Sequence, residues 1–81
     1  MTLEQIDFFL MAVRCDTFLE AAENLHIAQS TLSKQIQKLE TELNLPLFDR
    51  TRRQAVLTPA GELFRQEAAE LSLQYHQMLQ K

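Results

Sequence analysis

Two groups of polar and basic side chains are the part of this 81-residue sequence best suited to chemistry with a ligand. In the first group, Ser30, Lys34 and Gln37 recur at spacings of four and three residues. The second group is segment 50–53, with three arginines in four positions. Hydroxyl, amide and ammonium groups on one helix face can hydrogen-bond base edges, and clustered arginines suit phosphates and a narrow minor groove. The alternative for each group is an ordinary solvated surface.

No comparable set of residues points to catalysis or metal binding. Ser30 and Ser33 have no His or carboxylate placed to activate them, and the sequence has no Gly-rich phosphate loop. His26 and His76 lie far apart with no acidic or Cys cluster joining them, so we interpret His26 as a turn residue. Cys15 is the only cysteine, which leaves no internal disulfide. We therefore expect no enzymatic activity, no metal and no cofactor.

The composition favours one small, mainly α-helical domain. The sequence has one Gly and two Pro, few enough breakers for long helices with short connections. No apolar run approaches the ~20 residues that a membrane-spanning helix needs. The N-terminal residues carry Glu4 and Asp7 where a signal peptide would be basic. We expect a cytoplasmic, nucleoid-associated protein that does not enter a membrane.

The net charge of −3 is unusual for a protein that binds nucleic acid. Segment 28–58 nevertheless carries five basic and three acidic residues, whereas segments 1–27 and 59–81 have net charges of −4 and −1. Positive charge is therefore concentrated where both candidate groups lie. The overall sign predicts weak non-specific binding to DNA and does not exclude DNA as a partner.

Apolar spacing predicts three helices that would position these groups. The first covers residues 3–14, with Thr2 as a plausible N-cap. Thr17 opens the second, forms a capping box with Glu20, and the helix ends near Asn24. The third covers residues 29–43 and directs its polar face away from an apolar stripe. The members of that stripe are Leu32, Ile36, Leu39 and Leu43.

The segment after the third helix is expected to form a hairpin. Asn44 suits a left-handed residue at the helix end, and Pro46 cannot continue the helix. Two short strands are predicted at 48–50 and 55–57, with residues 51–54 as the tip between them. Thr58 and Pro59 then fit the N-cap and first position of a last helix that continues nearly to the end of the chain.

The last helix carries an apolar heptad seam. Because more than 20 helical residues exceed what so small a body can cover, we expect the far half to pair with a second copy. Leu63 and Phe64, near the body, are expected to pack on the chain's own core. The seam consists of Phe64, Ala68, Leu71, Tyr75 and Met78.

Three motifs together resemble the N-terminal DNA-binding domain of LysR-type transcriptional regulators. They are FLEAAENLHIAQSTLSKQIQKLETEL at 18–43, LPLFDR at 45–50 and LTPAG at 57–61. The resemblance implies a winged helix-turn-helix in residues 1–58, with a three-helix core and a short β-hairpin wing. Residues 59–81 would be the linker helix for dimerisation.

The resemblance also implies roles for individual residues. Arg53 would enter the minor groove, while Lys38, Arg50 and Arg52 would hold phosphates. Gln37 completes the exposed polar face of the third helix and is a further candidate for contact with DNA. Contact with bases or phosphates is implied for Gln29, Ser30, Thr31, Ser33 and Lys34.

Members of this family bind an interrupted inverted repeat of double-stranded DNA as homodimers with antiparallel linker helices, and tetramers of the full-length protein are a further option. They also carry a C-terminal domain of two α/β lobes for a small-molecule co-inducer, which the 81 residues do not include. We therefore expect a domain of a longer regulator. The sequence departs from the family pattern at Ala28, Asn44 and Arg52, where Ser, Gly and Gly are common.

A protein-docking module is the other reading of these residues. Winged helices can dock on proteins, and the chain is acidic with an exposed heptad seam. A docking surface should show apolar residues on the third helix, yet that face carries Ser30, Lys34 and Gln37. DNA binding is therefore the favoured hypothesis.

Overall fold

The computed structural model describes residues 1–80 and confirms the prediction of a mainly α-helical chain. Its helices are α1 (Leu3–Arg14), α2 (Phe18–Leu25), α3 (Gln29–Leu43) and α4 (Pro59–Leu79). The predicted bounds of the first and third helices are those observed, and α2 extends one residue beyond Asn24. Lys81, the last residue of the predicted linker helix, lies outside the described residues.

Side-chain caps begin three of the helices. Thr2 accepts a hydrogen bond from the Gln5 backbone N–H, and the Gln5 side chain accepts one from Thr2, which forms a reciprocal capping box. Thr17 accepts from the Glu20 N–H at 3.1 Å, but the Glu20 side chain makes no return bond within residues 1–80. The predicted capping box at Thr17 is therefore only half formed, since the exposed Glu20 carboxylate loses little by remaining in solvent. Thr58 caps α4 through the Gly61 N–H at 3.0 Å.

Two left-handed residues end α2 and α3: His26, predicted as a turn residue, and Asn44, where the sequence predicts this conformation. His26 has φ 59° and Asn44 has φ 56°. After each, the chain forms the hydrogen-bond pair of a Schellman motif, for example Ile27 N–H to Ala22 C=O at 3.0 Å and Leu45 N–H to Glu40 C=O at 3.1 Å. The first motif sets the turn between α2 and α3, and the second releases the chain toward the 46–57 segment.

An aromatic line runs through the core and joins the helices to the segment after α3. Phe9 lies 5.1 Å from Phe64 and 5.5 Å from Phe48, measured between ring centroids, and Phe48 lies 5.0 Å from Phe18. These rings therefore connect α4, α1, the 46–57 segment and α2 in that order. The largest fully buried side chains are Phe9, Leu32, Ile36, Leu39, Leu47 and Phe48.

The predicted β-hairpin is not formed as two strands. Within residues 1–80 the only bridge is the isolated antiparallel pair Phe48 and Leu57, supported by a 2.8 Å bond from the Asp49 N–H to Val56 C=O. The Ala55 N–H donates instead to Asp16 C=O, at 2.9 Å, in the turn before α2. The strand pairing cannot continue toward the tip, because the Ala55 N–H, on the arm that returns from the tip, already donates to Asp16. We call residues 48–57 the wing.

The α4 helix presents different faces to the body along its length. Ala68 is 3 % exposed and Phe64 packs partly buried against the core, which confirms the expectation for Phe64. Leu63 is 68 % exposed, so the expectation that it packs on the body is wrong. It lies about 140° around the helix from Ala68, because successive residues turn by about 100°. Further along, Ser72 donates to Asp7 of α1 at 2.9 Å.

The predicted heptad seam is consequently divided. Phe64 and Ala68 are used by the chain's own core, whereas Leu71, Tyr75 and Met78 are exposed by 46, 36 and 69 %. Leu73 and Leu79 are exposed as well. The far half of α4 therefore carries apolar surface that the described residues leave uncovered.

The start of α4 approaches the segment after α3 so closely that only glycine fits at position 61. A Cβ built on Gly61 would overlap the carbonyl oxygen of Leu47 and lie 3.0 Å from the Leu57 side chain. Leu47 C=O also accepts from the Thr58 N–H at 3.0 Å, and Thr58 Oγ1 donates to Pro46 C=O. This contact fixes where α4 leaves the body.

Gly61→Ala should destabilise the fold, because the added methyl must displace backbone and not a flexible side chain. We expect a loss of about 1–3 kcal/mol in the free energy of unfolding, the usual range for overpacking. Urea denaturation followed by circular dichroism measures it. Gln66→Ala, at an exposed position of the same helix, is the control and should change little. Equal stability of Gly61→Ala and the parent chain would contradict the close approach.

Candidate nucleic-acid interface

The polar face of α3 is exposed along its whole length. Of the predicted contact residues, only Ser33 is partly buried. Leu32, Ile36 and Leu39 on the opposite face are fully buried, so packing holds the polar face outward. The predicted residues that lie exposed on α3 are Gln29, Ser30, Thr31, Lys34, Gln37 and Lys38.

The start of α3 has backbone donors without a side-chain cap. Ala28 occupies the N-cap position and its side chain makes no capping bond. Its carbonyl accepts from Thr31 and Leu32 at 3.1 and 3.2 Å, which leaves the first N–H groups of the helix directed outward. Together with the helix dipole, this end favours a negatively charged group next to Gln29 and Ser30.

One open cleft brings the N-terminal end of α3 together with the wing. It encloses about 460 Å³ between α2, α3 and the wing. Gln29 and Ser33 form one wall, and Arg52 and Arg53 belong to the other. The cleft therefore joins the first turns of α3 to segment 50–53, whereas Ser30, Lys34 and Gln37, the first candidate group of the sequence, do not line it. Its remaining lining residues are Thr17, Phe18, Leu19, Phe48, Asp49, Arg50, Gln54 and Ala55.

The three wing arginines differ in how far they are already engaged. Arg50 Nη2 lies 2.8 Å from Glu40 Oε1, and its guanidinium carbon is 5.1 Å from the centre of the Phe18 ring. Arg52 Nε lies 3.4 Å from Asp49 Oδ2, with the arginine side chain 66 % exposed. Arg53 is exposed and takes part in no ion pair within residues 1–80. Arg53 is therefore the most available cation of the wing.

Glu40 is part of this region although the sequence places it only at the edge of the apolar stripe. Its side chain is 13 % exposed. Oε2 accepts from the Leu47 N–H at 2.7 Å and the Phe48 N–H at 3.2 Å, while Oε1 accepts from Arg50. The sequence carried a signal for this contact, because an acid at the edge of the apolar stripe near a helix end needs hydrogen-bond donors, and the nearest free backbone donors follow the turn.

The tip of the wing is ordered by a carboxylate. Asp49 Oδ1 accepts from the Thr51 hydroxyl at 2.6 Å and from the Thr51 N–H at 3.0 Å. These two hydrogen bonds, the side-chain one first, lower the pKa of Asp49, and the charge of Arg52 adds to the effect. A depressed folded-state pKa means that this contribution to stability is present above the ordinary Asp value and is lost as pH falls through the folded-state value.

Thr51→Ala should raise the pKa of Asp49 toward its ordinary value, because the hydroxyl donor that favours the carboxylate is removed. Carboxyl ¹³C chemical shifts followed by NMR between about pH 2 and pH 6 cover the titration range of an aspartate. Thr41→Ala, on the exposed face of α3, is the control and should leave that pKa unchanged. An unaltered Asp49 titration in Thr51→Ala would contradict this account of the turn.

Other kinds of site find no support in the part of the chain that is described. No three His, Cys, Asp or Glu side chains within residues 1–80 are grouped as metal ligands would be. Cys15 is buried and accepts a hydrogen bond from the Asn24 amide at 3.3 Å. None of the described helices combines the length and apolar character needed to cross a membrane.

The helix-turn-helix at 18–43, the wing and the shared cleft define the class of a helix-turn-helix DNA-binding domain. A family model for "Bacterial regulatory helix-turn-helix protein, lysR family" matches residues 3–62, and the chain belongs to this family. The confirmed assignment agrees with the resemblance carried by the three sequence motifs.

Similar proteins and structures extend over nearly the whole chain. The crystal structure of the BenM DNA-binding domain in complex with catB site 1 DNA superposes with a TM-score of 0.95, at 40 % identity, over 99 % of this chain and 86 % of that one. A probable RuBisCO transcriptional regulator of Cyanidioschyzon merolae is 46 % identical over 70 residues, 86 % of this chain and 23 % of its own length. The regulator IlvY of Escherichia coli is 42 % identical over 78 residues, 96 % of this chain and 26 % of its own length. The chain thus spans about a quarter of the length of these two regulators.

Proposed function

We propose that this domain binds duplex DNA with α3 in a major groove and the wing over the adjacent backbone and minor groove. The observation that carries the proposal is the cleft in which Gln29 and Ser33 face Arg52 and Arg53. A DNA strand that runs between a recognition helix and a wing would pass through such a cleft. A transcriptional regulator that acts on DNA would work in the cytoplasm, and we propose no catalytic activity for it.

Base recognition is assigned to the exposed face of α3. Lys34 suits O6 and N7 of guanine, and Gln29 suits the N6 and N7 edge of adenine. Ser30, Thr31 and Gln37 extend this face, and Ser33 and Lys38 lie at its edges. Neither Lys34 nor Lys38 forms an ion pair within residues 1–80, so both ammonium groups remain available.

Contact with the DNA backbone is assigned mainly to Arg53, with Arg52 beside it. Because Asp49 pairs with Arg52 and Glu40 with Arg50, the wing offers less free positive charge than its three arginines suggest. Non-specific affinity should accordingly be low, and binding should depend on fitting α3 and the wing together.

Dimerisation is assigned to the far half of α4. Leu71, Tyr75 and Met78 form exposed apolar surface on a helix that extends beyond the core, and such surface is typical of an interface. Two copies related by a two-fold axis would match an inverted repeat, with one half-site for each copy. Residues 59–81 would then serve as the linker helix and residues 1–58 as the DNA-binding unit.

Arg53→Ala should weaken DNA binding by about 1–3 kcal/mol and lower the log–log salt slope by about one unit, since one phosphate or minor-groove contact is lost. Fluorescence anisotropy with inverted-repeat duplexes of interrupted centre, at several salt concentrations, measures both. Arg14→Ala removes the same charge from the end of α1, outside the cleft, and serves as the control. Equal losses in both variants would show that only net charge matters and would contradict the assignment.

Lys34→Ala in the same assay distinguishes its two candidate contacts. Loss of a phosphate contact flattens the salt slope by about one unit, whereas loss of a guanine contact relaxes base preference at one position. Unchanged affinity and specificity would remove Lys34 from the interface.

Met78→Glu should weaken self-association of the chain, because the variant places a charge in an apolar contact. We expect a loss of at least tenfold in the dimer constant, which corresponds to about 1.4 kcal/mol. Sedimentation equilibrium measures the dimer constant. Gln77→Glu adds the same charge at the neighbouring position, on a different side of α4, and should leave association nearly unchanged. A dimer constant insensitive to Met78→Glu would place the interface elsewhere.

A further inference from the structure

The Glu40 carboxylate joins the recognition helix to the base of the wing. It lies three residues before the end of α3 and accepts hydrogen bonds from two consecutive backbone N–H groups, those of Leu47 and Phe48. Its second oxygen accepts from Arg50 two residues further on. All three donors belong to the outgoing arm of the wing or lead directly into it, so this carboxylate ties the outgoing arm to α3, in addition to the packing of the buried Phe48.

Arg50 completes the connection on its other side. Its guanidinium lies over the Phe18 ring, and Phe18 packs edge-on against Phe48. A cation over an aromatic face is attracted by the ring quadrupole. Arg50 is thus held between a carboxylate of α3 and a ring of α2, both of which are fixed by the core.

The wing depends on this connection because its own ladder is short. A single bridge, Phe48 with Leu57, joins its two arms within the described residues, and the tip contains the two less engaged arginines. In a full hairpin, successive ladder bonds would orient the tip. Here the bonds to Glu40 supply that orientation at the base of the outgoing arm.

We propose that Glu40 and Arg50 are positioning residues for DNA binding, which hold Arg52 and Arg53 at a fixed distance from the polar face of α3. The proposal rests on the DNA-binding mode proposed above. It replaces the role of phosphate contact that the resemblance implies for Arg50. For Arg50 to hold a phosphate, the Glu40 carboxylate, 13 % exposed, would have to lose its cation while the DNA brought further negative charge toward it.

The two roles of Arg50 predict opposite effects of Glu40→Gln. If Arg50 binds phosphate, removing the carboxylate charge frees the arginine and removes a repulsive charge, so DNA affinity rises and the salt slope steepens. If Glu40 and Arg50 position the wing, the same substitution weakens the hydrogen bonds that orient the outgoing arm. Affinity then falls, but only for DNA long enough to reach the wing.

The experiment compares two duplexes derived from the sequence that the parent chain selects from the inverted-repeat pool. The long duplex includes the wing footprint mapped by hydroxyl-radical cleavage, and the short duplex ends just before that footprint. We expect Glu40→Gln to bind the long duplex more weakly by at least roughly tenfold, because Arg52 and Arg53 lose contact together, and the short duplex within about twofold of the parent. Higher affinity for the long duplex, or equal losses on both, would overturn the proposal.

Glu42→Gln is the matched control. It removes the same charge from the same helix, but Glu42 pairs with the N-terminal amine and not with the wing. It should bind both duplexes at least as tightly as the parent chain. If Glu42→Gln shows the same selective loss on the long duplex as Glu40→Gln, the contact between Glu40 and the wing is not the cause and the proposal fails.

A double-mutant cycle with Arg50→Gln tests whether the two residues act through each other. On the long duplex the double variant should lose no more affinity than either single variant, because both break the same connection. Additive losses would mean that Arg50 contacts DNA independently of Glu40.

Thermal unfolding checks that each variant is folded at the assay temperature. If Glu40→Gln is not folded, Arg50→Gln alone decides between the two roles. A fall in the salt slope of about one unit marks a single lost phosphate contact and overturns the proposal. Positioning predicts a larger fall, because Arg52 and Arg53 lose contact together. Failure of the parent chain to bind either duplex would instead refute the proposed function itself.

Discussion

The burial of Phe48 between Phe9 and Phe18 is the interaction on which the geometry of this domain depends. Phe48 is 2 % exposed, and it is the point at which the chain changes from the helical body to the wing. Through Phe9 it is connected to Phe64 at the start of α4. The same ring therefore anchors the wing and aligns the helix that carries the exposed apolar surface. Because the aromatic contacts are edge-on or tilted, they favour particular relative orientations of the helices as well as close packing.

Local ion pairs describe the charge around the cleft better than the net charge of the chain does. The net charge is −3, yet the cleft between α3 and the wing is lined by three arginines and one acid, Asp49. Two of those arginines are paired, one with an acid of α3 and one within the wing. These ion pairs hold the arginine side chains in fixed positions and leave fewer unpaired cations. For the DNA binding proposed above, this arrangement predicts selectivity from shape and register, with less dependence on general attraction to the phosphate backbone.

The long α4 helix has a packed face and exposed apolar faces, which its heptad pattern does not separate. Near its start, Gly61, Phe64 and Ala68 pack on the body, and Ser72 extends the contact to Asp7 of α1. On its other faces the far half of the helix exposes Leu71, Leu73, Tyr75, Met78 and Leu79. One helix can do both because its faces are independent, and α1 lies beside one face of α4 as far as Ser72 and His76, which both contact Asp7. The molecule is 42 Å along its longest axis, and the apolar surface at the far end of α4 is exposed.

The sequence by itself determined the local structure, and the tertiary structure decided the contacts between distant segments. Caps at Thr2, Thr17 and Thr58 and the left-handed residues His26 and Asn44 depend on neighbours within about four positions, so residue type and spacing predict them. The polar face of α3 follows in the same way from its helical period. The lost strand ladder, the Glu40 connection, the exposure of Leu63 and the burial of Ala68 depend on segments that are far apart in sequence. A backbone N–H has one hydrogen bond to donate, and an apolar side chain is buried only where another segment packs on it. Which partner each of them takes is therefore decided only when distant segments meet.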